Sequence, residues 1–169
     1  MPSKRKYAST KRNHYLDGYY LSLGVFFVLY QILSSIFVHL PILIGFFYCY
    51  AFVLFNESEK DLQALDFRWY FVIFYFLLID ITHDFYLFCS IFSFGLFYYF
   101  CVDYIRTNFK IGKLIPVIFV FCAYVLEFSV DAFLSYISNL PLKNFNLSYA
   151  LDIGIESLLC YIFFKDKLK

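Results

Sequence analysis

The chain has 169 residues, of which 62% are hydrophobic, 25% aromatic and 16% charged, with a formal net charge of +1. Ordinary soluble domains carry about 25% charged residues, and so short a soluble core cannot bury this much apolar surface, whereas lipid solvates it. The apolar stretches lack strict alternation and run well past the roughly 10 residues of a barrel strand, which excludes a membrane β-barrel.

The expected fold is therefore all-α: a polytopic transmembrane helical bundle of about six spans, with basic tails at 1–16 and 165–169 around a single membrane domain at 17–164. The N-terminal tail carries Lys4, Arg5, Lys6, Lys11 and Arg12. No small-residue cleavage site follows it and the next apolar run is too long for a signal peptide, so that run reads as a retained span. The first span is predicted from Gly18 to Val38, with a break at His39-Leu40-Pro41. A second run follows from Ile42 to Phe55. Together these make about 37 apolar residues, or about 55 Å of helix, too long for one crossing of a core roughly 30 Å thick. Two crossings fit, the second being short or re-entrant.

Asn56–Asp66 (NESEKDLQALD) reads as the clearest internal loop. A third span starts near Phe67, with Arg68 and Trp69 as interface anchors, and ends at Asp80-Ile-Thr-His-Asp84. A fourth runs from Phe85 to Tyr104, and Arg106–Lys113 (RTNFKIGK) forms a basic loop. A fifth covers Leu114–Ser135, Asn139–Asn146 (NLPLKNFN) is a turn-rich loop, and a sixth covers Leu147–Phe164. With six crossings and the N-terminus inside, 13 of the 14 Lys and Arg residues lie on the cytoplasmic side and only Lys143 lies outside. The positive-inside rule thus places both termini in the cytoplasm.

Within these spans stand three carboxylate pairs at i,i+4 spacing: Asp80 with Asp84, Glu127 with Asp131, and Asp152 with Glu156. Such spacing puts each pair on one helix face. A carboxylate in a span is costly unless it faces protein or a wet cavity. The topology brings all three pairs into one outer depth range, with His83 and His39 near the same surface, and so predicts a shared polar site between helices. The plainer reading is that the acids end helices at the interface. It suits Asp80, His83 and Asp84 better than Glu127, which lies about 20 Å along its span. No basic residue lies at that depth, so the acids are expected to be protonated, hydrogen-bonded by Tyr or Ser, or paired with a partner's Arg or Lys. The candidate partner- or ligand-binding residues are Asp80, His83, Asp84, Glu127, Asp131, Asp152 and Glu156.

No GxSxG, HExxH or Walker motif is present, and no Ser/His pair stands in a span. We expect no catalytic residue, no enzyme activity, no metal and no cofactor, and no nucleic-acid partner. Cys49, Cys89, Cys101, Cys122 and Cys160 all lie in apolar runs without a CxxC, and read as small buried hydrophobes.

The third and fourth spans contain LLIDITHDFYLFCSIFSFGLFYY. With this run, the chain resembles the bacterial rod-shape-determining protein MreD family, in which a span ends in an Asp within an LLDL-like stretch and another span follows at once. Leu77-Leu78-Ile79-Asp80-Ile81 matches that stretch. The family's glycines after the Asp are missing, since His83, Asp84 and Phe85 stand there. A later acid in the fifth span, Glu127 or Asp131, is compatible with the family, as are the polar start of the last span and the short basic C-tail. The resemblance covers roughly residues 40–169. It implies a non-enzymatic scaffold of the cell-elongation, peptidoglycan-synthesising complex in the bacterial inner membrane. The implied partners are membrane lipid, MreC-like proteins, wall-synthesis enzymes and a cytoplasmic MreB-like filament. The alternative is the membrane substrate-binding subunit of a small-solute uptake transporter, in which the acids line a pocket open to the outside.

Overall fold

The computed structural model describes residues 18–37, 40–61, 67–108, 114–141, 143, 147–165, 167 and 168. The predicted N-terminal tail lies outside these residues, as do 166 and 169 of the C-terminal tail, His39 and most of the basic loop. The described residues form α1 (Gly18–Ile36), α2 (Ile44–Asp61), α3 (Phe67–Thr82), α4 (Cys89–Leu96), a π-helical stretch (Phe97–Val102), α5 (Asp103–Asn108), α6 (Ile115–Ile137) and α7 (Leu147–Phe164), with no strand among them. Since α4, the π stretch and α5 follow without a gap, the chain makes six rods. Among the described residues, Ile115–Ile137 is the one helix long and apolar enough to cross a membrane alone; Ser22–Ile36 and Cys89–Val102 are apolar but shorter.

Two expected boundaries are corrected. Of the expected loop Asn56–Asp66, Asn56–Asp61 is instead the last part of α2, and 62–66 lie outside the described residues. Glu57, Ser58, Glu59 and Lys60 are polar, yet Glu and Lys are good helix formers, so nothing in NESEKD stops a helix already under way. The fourth rod starts at Cys89 rather than Phe85, because Asp84 (φ 54) and Phe88 (φ 69) both adopt left-handed backbone. A helix cannot pass through such residues.

At the centre, α2 packs against α3, α6 and α7, while α6 also packs against α4 and α7, and α1 rests on α3. Rings fill these contacts. Phe47 of α2 stacks on Tyr75 of α3 with centroids 3.6 Å apart, and Phe52, Phe97 and Phe119 meet edge to face. Gly45 leaves room for Val120 of α6 against α2: a Cβ there would stand 2.7–2.9 Å from the Val120 side chain.

Three helices differ from those of a water-soluble bundle in burying polar residues while exposing long apolar rows. On α7 the buried side holds Asp152, Glu156 and Cys160, and the exposed row is Leu151, Ile155, Leu158 and Ile162. On α6 the buried side includes Tyr124, Glu127, Asp131 and Ser135, against exposed Phe121, Val125 and Phe133. On α1, Gln31 and Ser34 are buried while Val25, Phe26, Leu29, Leu33 and Ile36 are exposed. A water-soluble helix turns its apolar stripe inward.

Candidate functional site

Two helices begin inside the bundle, and their starts explain most of the buried acids. A helix leaves its first N–H groups without intrahelical partners, and burying them unpaired is costly. The connection from α1 to α2 runs through buried Pro41, Ile42 and Leu43, so α2 starts where water cannot reach those N–H groups. Tyr30 fixes the connection by donating to the Pro41 carbonyl at 2.8 Å. Neither Leu43 nor Ile44 has a side chain able to cap, and Glu156 of α7 does it from across the bundle. Glu156 Oε1 accepts from the Leu43 N–H at 2.5 Å, and Oε2 accepts from Gly45 at 2.8 Å and Phe46 at 3.3 Å. Tyr124 of α6 adds a fourth donor at 2.5 Å. The positive φ of Leu43 (67°) turns its N–H toward the same carboxylate, a strained backbone held by the cap. A negative group at a helix N-terminus is also favoured by the helix dipole.

The start of α4 repeats the arrangement. Phe88 stands at its N-cap in left-handed backbone and offers no capping side chain. Asp80, near the end of α3, replaces it: Oδ1 accepts from the Ser90 N–H at 3.2 Å and lies 2.5 Å from Ser90 Oγ. From α6, Asp131 Oδ1 accepts the Tyr86 N–H at 2.9 Å, so the turn before α4 is held from two sides. Ser90 Oγ also lies 2.9 Å from Glu127 Oε1, and Tyr48 of α2 donates to Glu127 Oε2 at 2.9 Å. Asp80, Ser90, Glu127 and Tyr48 thus form one network joining α2, α3, α4 and α6. Within it Asp80 Oδ2 is buried without a hydrogen-bond partner among the described residues.

The seven predicted residues therefore do not share one site. Asp80 and Glu127 meet through Ser90, and Asp131 holds the neighbouring turn. Glu156 belongs to the separate start of α2, and Asp152 is buried on α7 but joins neither network. The predicted Asp80/Asp84 face does not exist, because α3 ends at Thr82, whose hydroxyl donates back to the Leu78 carbonyl at 2.7 Å. Asp84 follows in the turn and is the one exposed member of the seven. His83, half-buried in that turn, pairs its Nε2 with Ser34 Oγ of α1 at 3.1 Å. Burial, and then the Lys143 ammonium, push its imidazole down to about 4.

A cation does reach this end of the bundle. Lys143 donates to the His83 carbonyl and stands 3.7 Å above the Phe85 ring, and burial lowers its ammonium from the usual range. Sequence reasoning placed Lys143 outside the spans but gave it no contact. It also missed Ser90, Tyr48, Tyr124 and Gln31. Gln31 is buried on α1, accepts from Tyr75 at 2.7 Å and donates to Thr82 at 3.1 Å. Gln31 stands alone as an amide among apolar neighbours, which is a usable signal. One Tyr or Ser among dozens of similar residues is not.

Among the described residues, no group of three His, Cys, Asp or Glu is arranged to hold a metal ion. A cleft of about 690 Å³ lies between α1, α2, α3 and α7, lined mainly by rings including Phe27, Phe46, Phe71 and Phe163, with Arg68 and Lys167 bringing charge to it. None of the seven predicted residues lines it.

No family model, curated protein or solved structure matches this chain.

Proposed function

We propose that this protein is a multi-pass membrane scaffold, without enzyme activity, that sits in the bacterial inner membrane with six spans and both termini in the cytoplasm. Its task is to bind partner helices of the cell-elongation, wall-synthesising complex. The observation that carries the membrane part is the distribution of side chains on three helices: acids, Tyr and Gln face inward on α1, α6 and α7, and rows of Leu, Ile, Val and Phe face outward. Such rows are solvated by lipid tails or by another membrane helix. Asp84 and the outward rows then form the partner-binding surface, while the buried acids keep the bundle in shape. The assignment to cell elongation rests on Leu77–Ile81 and on the span that follows Asp80.

What favours a scaffold over an uptake subunit is where the carboxylate oxygens are spent. Glu156, Asp131 and Asp80 accept from backbone N–H groups that would otherwise be orphaned. They do not line the cleft, whose walls suit an apolar tail rather than a cationic solute. Depleting the protein in its host separates the two readings. A scaffold predicts cells that lose elongation and widen while nutrient uptake is unchanged. A growth defect cured by raising the concentration of one solute overturns it.

A further inference from the structure

We propose that Asp80 and Glu127 together bind a single proton, carried on Asp80 Oδ1 and donated to Ser90 Oγ, which in turn donates to an ionised Glu127. The inference goes beyond the scaffold reading and does not depend on it.

Counting hydrogens leads there. Ser90 Oγ stands 2.5 Å from Asp80 Oδ1 and 2.9 Å from Glu127 Oε1. A serine hydroxyl carries one hydrogen, and an ionised carboxylate only accepts. Both contacts are hydrogen bonds only if one of the two acids supplies a second hydrogen. The surroundings decide which. Both Glu127 oxygens face donors, Ser90 on one and Tyr48 on the other. Asp80 Oδ1 meets both the N–H and the hydroxyl of Ser90, while Oδ2 is bare although the residue is fully buried. A buried charge without full hydrogen bonding costs far more than a neutral carbonyl left bare. The charge therefore belongs on Glu127 and the proton on Asp80. A carboxylic O–H is a stronger donor than a serine O–H, which matches the shorter contact, at the short end for O–H···O bonds.

The other titratable groups around the site leave this order intact. Tyr48 on α2 already serves Glu127. The Cys89 thiol on α4 donates to the Glu127 main-chain carbonyl at 3.6 Å and lies 3.8 Å from Ser93 Oγ. Asp131 on α6 is engaged with the Tyr86 N–H, and the Lys143 ammonium lies over Phe85. Loss of the proton sets two carboxylates against one hydroxyl hydrogen at the start of α4. The bound proton is thus part of what fastens α4 to α3 and α6.

The test uses the full chain, purified in detergent micelles, and the variants Asp80→Asn and Glu127→Gln. Infrared spectroscopy at pH 7 is expected to show a protonated carboxyl band, shifted in deuterium oxide, that disappears in Asp80→Asn. An amide at position 80 still donates to Ser90 Oγ but leaves the Ser90 N–H without its acceptor, so Asp80→Asn is expected to lower the melting temperature by about 2–8 °C. Glu127→Gln turns one acceptor into a donor facing Ser90 or Tyr48, and is expected to lower it by about 4–10 °C. A wild-type protonated carboxyl band that is undiminished in Asp80→Asn overturns the assignment. If Glu127→Gln does not fold, the band in the wild type and Asp80→Asn decides alone.

Discussion

Replacing Glu156 with Ala removes the cap of α2 without touching that helix. Leu43, Gly45 and Phe46 lose the oxygens that accept their N–H groups, and Tyr124 loses its acceptor. Loss of an N-cap costs about 1 kcal/mol, and a charge at a partly buried helix terminus adds up to about 2 kcal/mol. A buried tyrosine hydroxyl left unpaired adds about 1–3 kcal/mol. Because the groups share one carboxylate the losses are not additive, and a total of about 3–5 kcal/mol is expected. At about 2–4 °C per kcal/mol for a chain of this size, the melting temperature should fall by about 6–20 °C. Glu156→Gln keeps one acceptor, and Tyr124 can rotate to accept from the new amide, so its loss should be about half as large. Thermal unfolding of both variants in the same micelles gives the comparison. Hydrogen exchange should also speed up at the amides of Leu43, Gly45 and Phe46 in Glu156→Ala. A Glu156→Ala protein that melts within about 2 °C of the parent, with those amides still protected, would refute the capping argument.

Further outcomes follow from single contacts. Gly45→Ala drives a methyl into Val120 at a helix crossing with no slack, and should cost about 1–3 kcal/mol in the same melting assay. Gln31→Leu strands the Tyr75 hydroxyl and should cost about 1–3 kcal/mol, with Tyr75→Phe in the same chain recovering part of it. His83 binds its proton more weakly in the fold than in the unfolded chain. Its contribution to stability is therefore intact above pH 6.5 and is lost as pH falls toward about 4. The full loss is worth about 3 kcal/mol, and His83→Gln should flatten that part of a melting-temperature profile across pH 4–7. Asp84→Asn, at an exposed turn residue, should change stability by no more than about 0.5 kcal/mol.

The helical class and the positions of the rods were legible because apolar runs of helical length leave few other options in a chain this hydrophobic. The fifth run, expected at Leu114–Ser135, is observed at Ile115–Ile137, with Pro116 in its first turn. The end of α2 was not legible, because polar residues that make good helix look like loop when an apolar run stops. The acids were legible as costly residues needing partners, and Tyr and Ser do partner them. Their true role was hidden by distance. Glu156 serves amides 110 or more positions away, and Glu127 meets Asp80 only through Ser90 of a third helix. Spacing along one helix cannot reveal a cap supplied to another. Asp84 shows the reverse error: its i,i+4 relation to Asp80 has meaning only while the helix continues, and α3 ends at Thr82.

The measurement that bears most directly on the scaffold is affinity purification of the tagged chain from cross-linked native membranes, with mass spectrometry of what comes with it. The account predicts recovery of wall-synthesis membrane enzymes and an MreC-like protein, with no bound solute. Recovery of an ATPase module or a retained small molecule, with wall proteins absent, would contradict it.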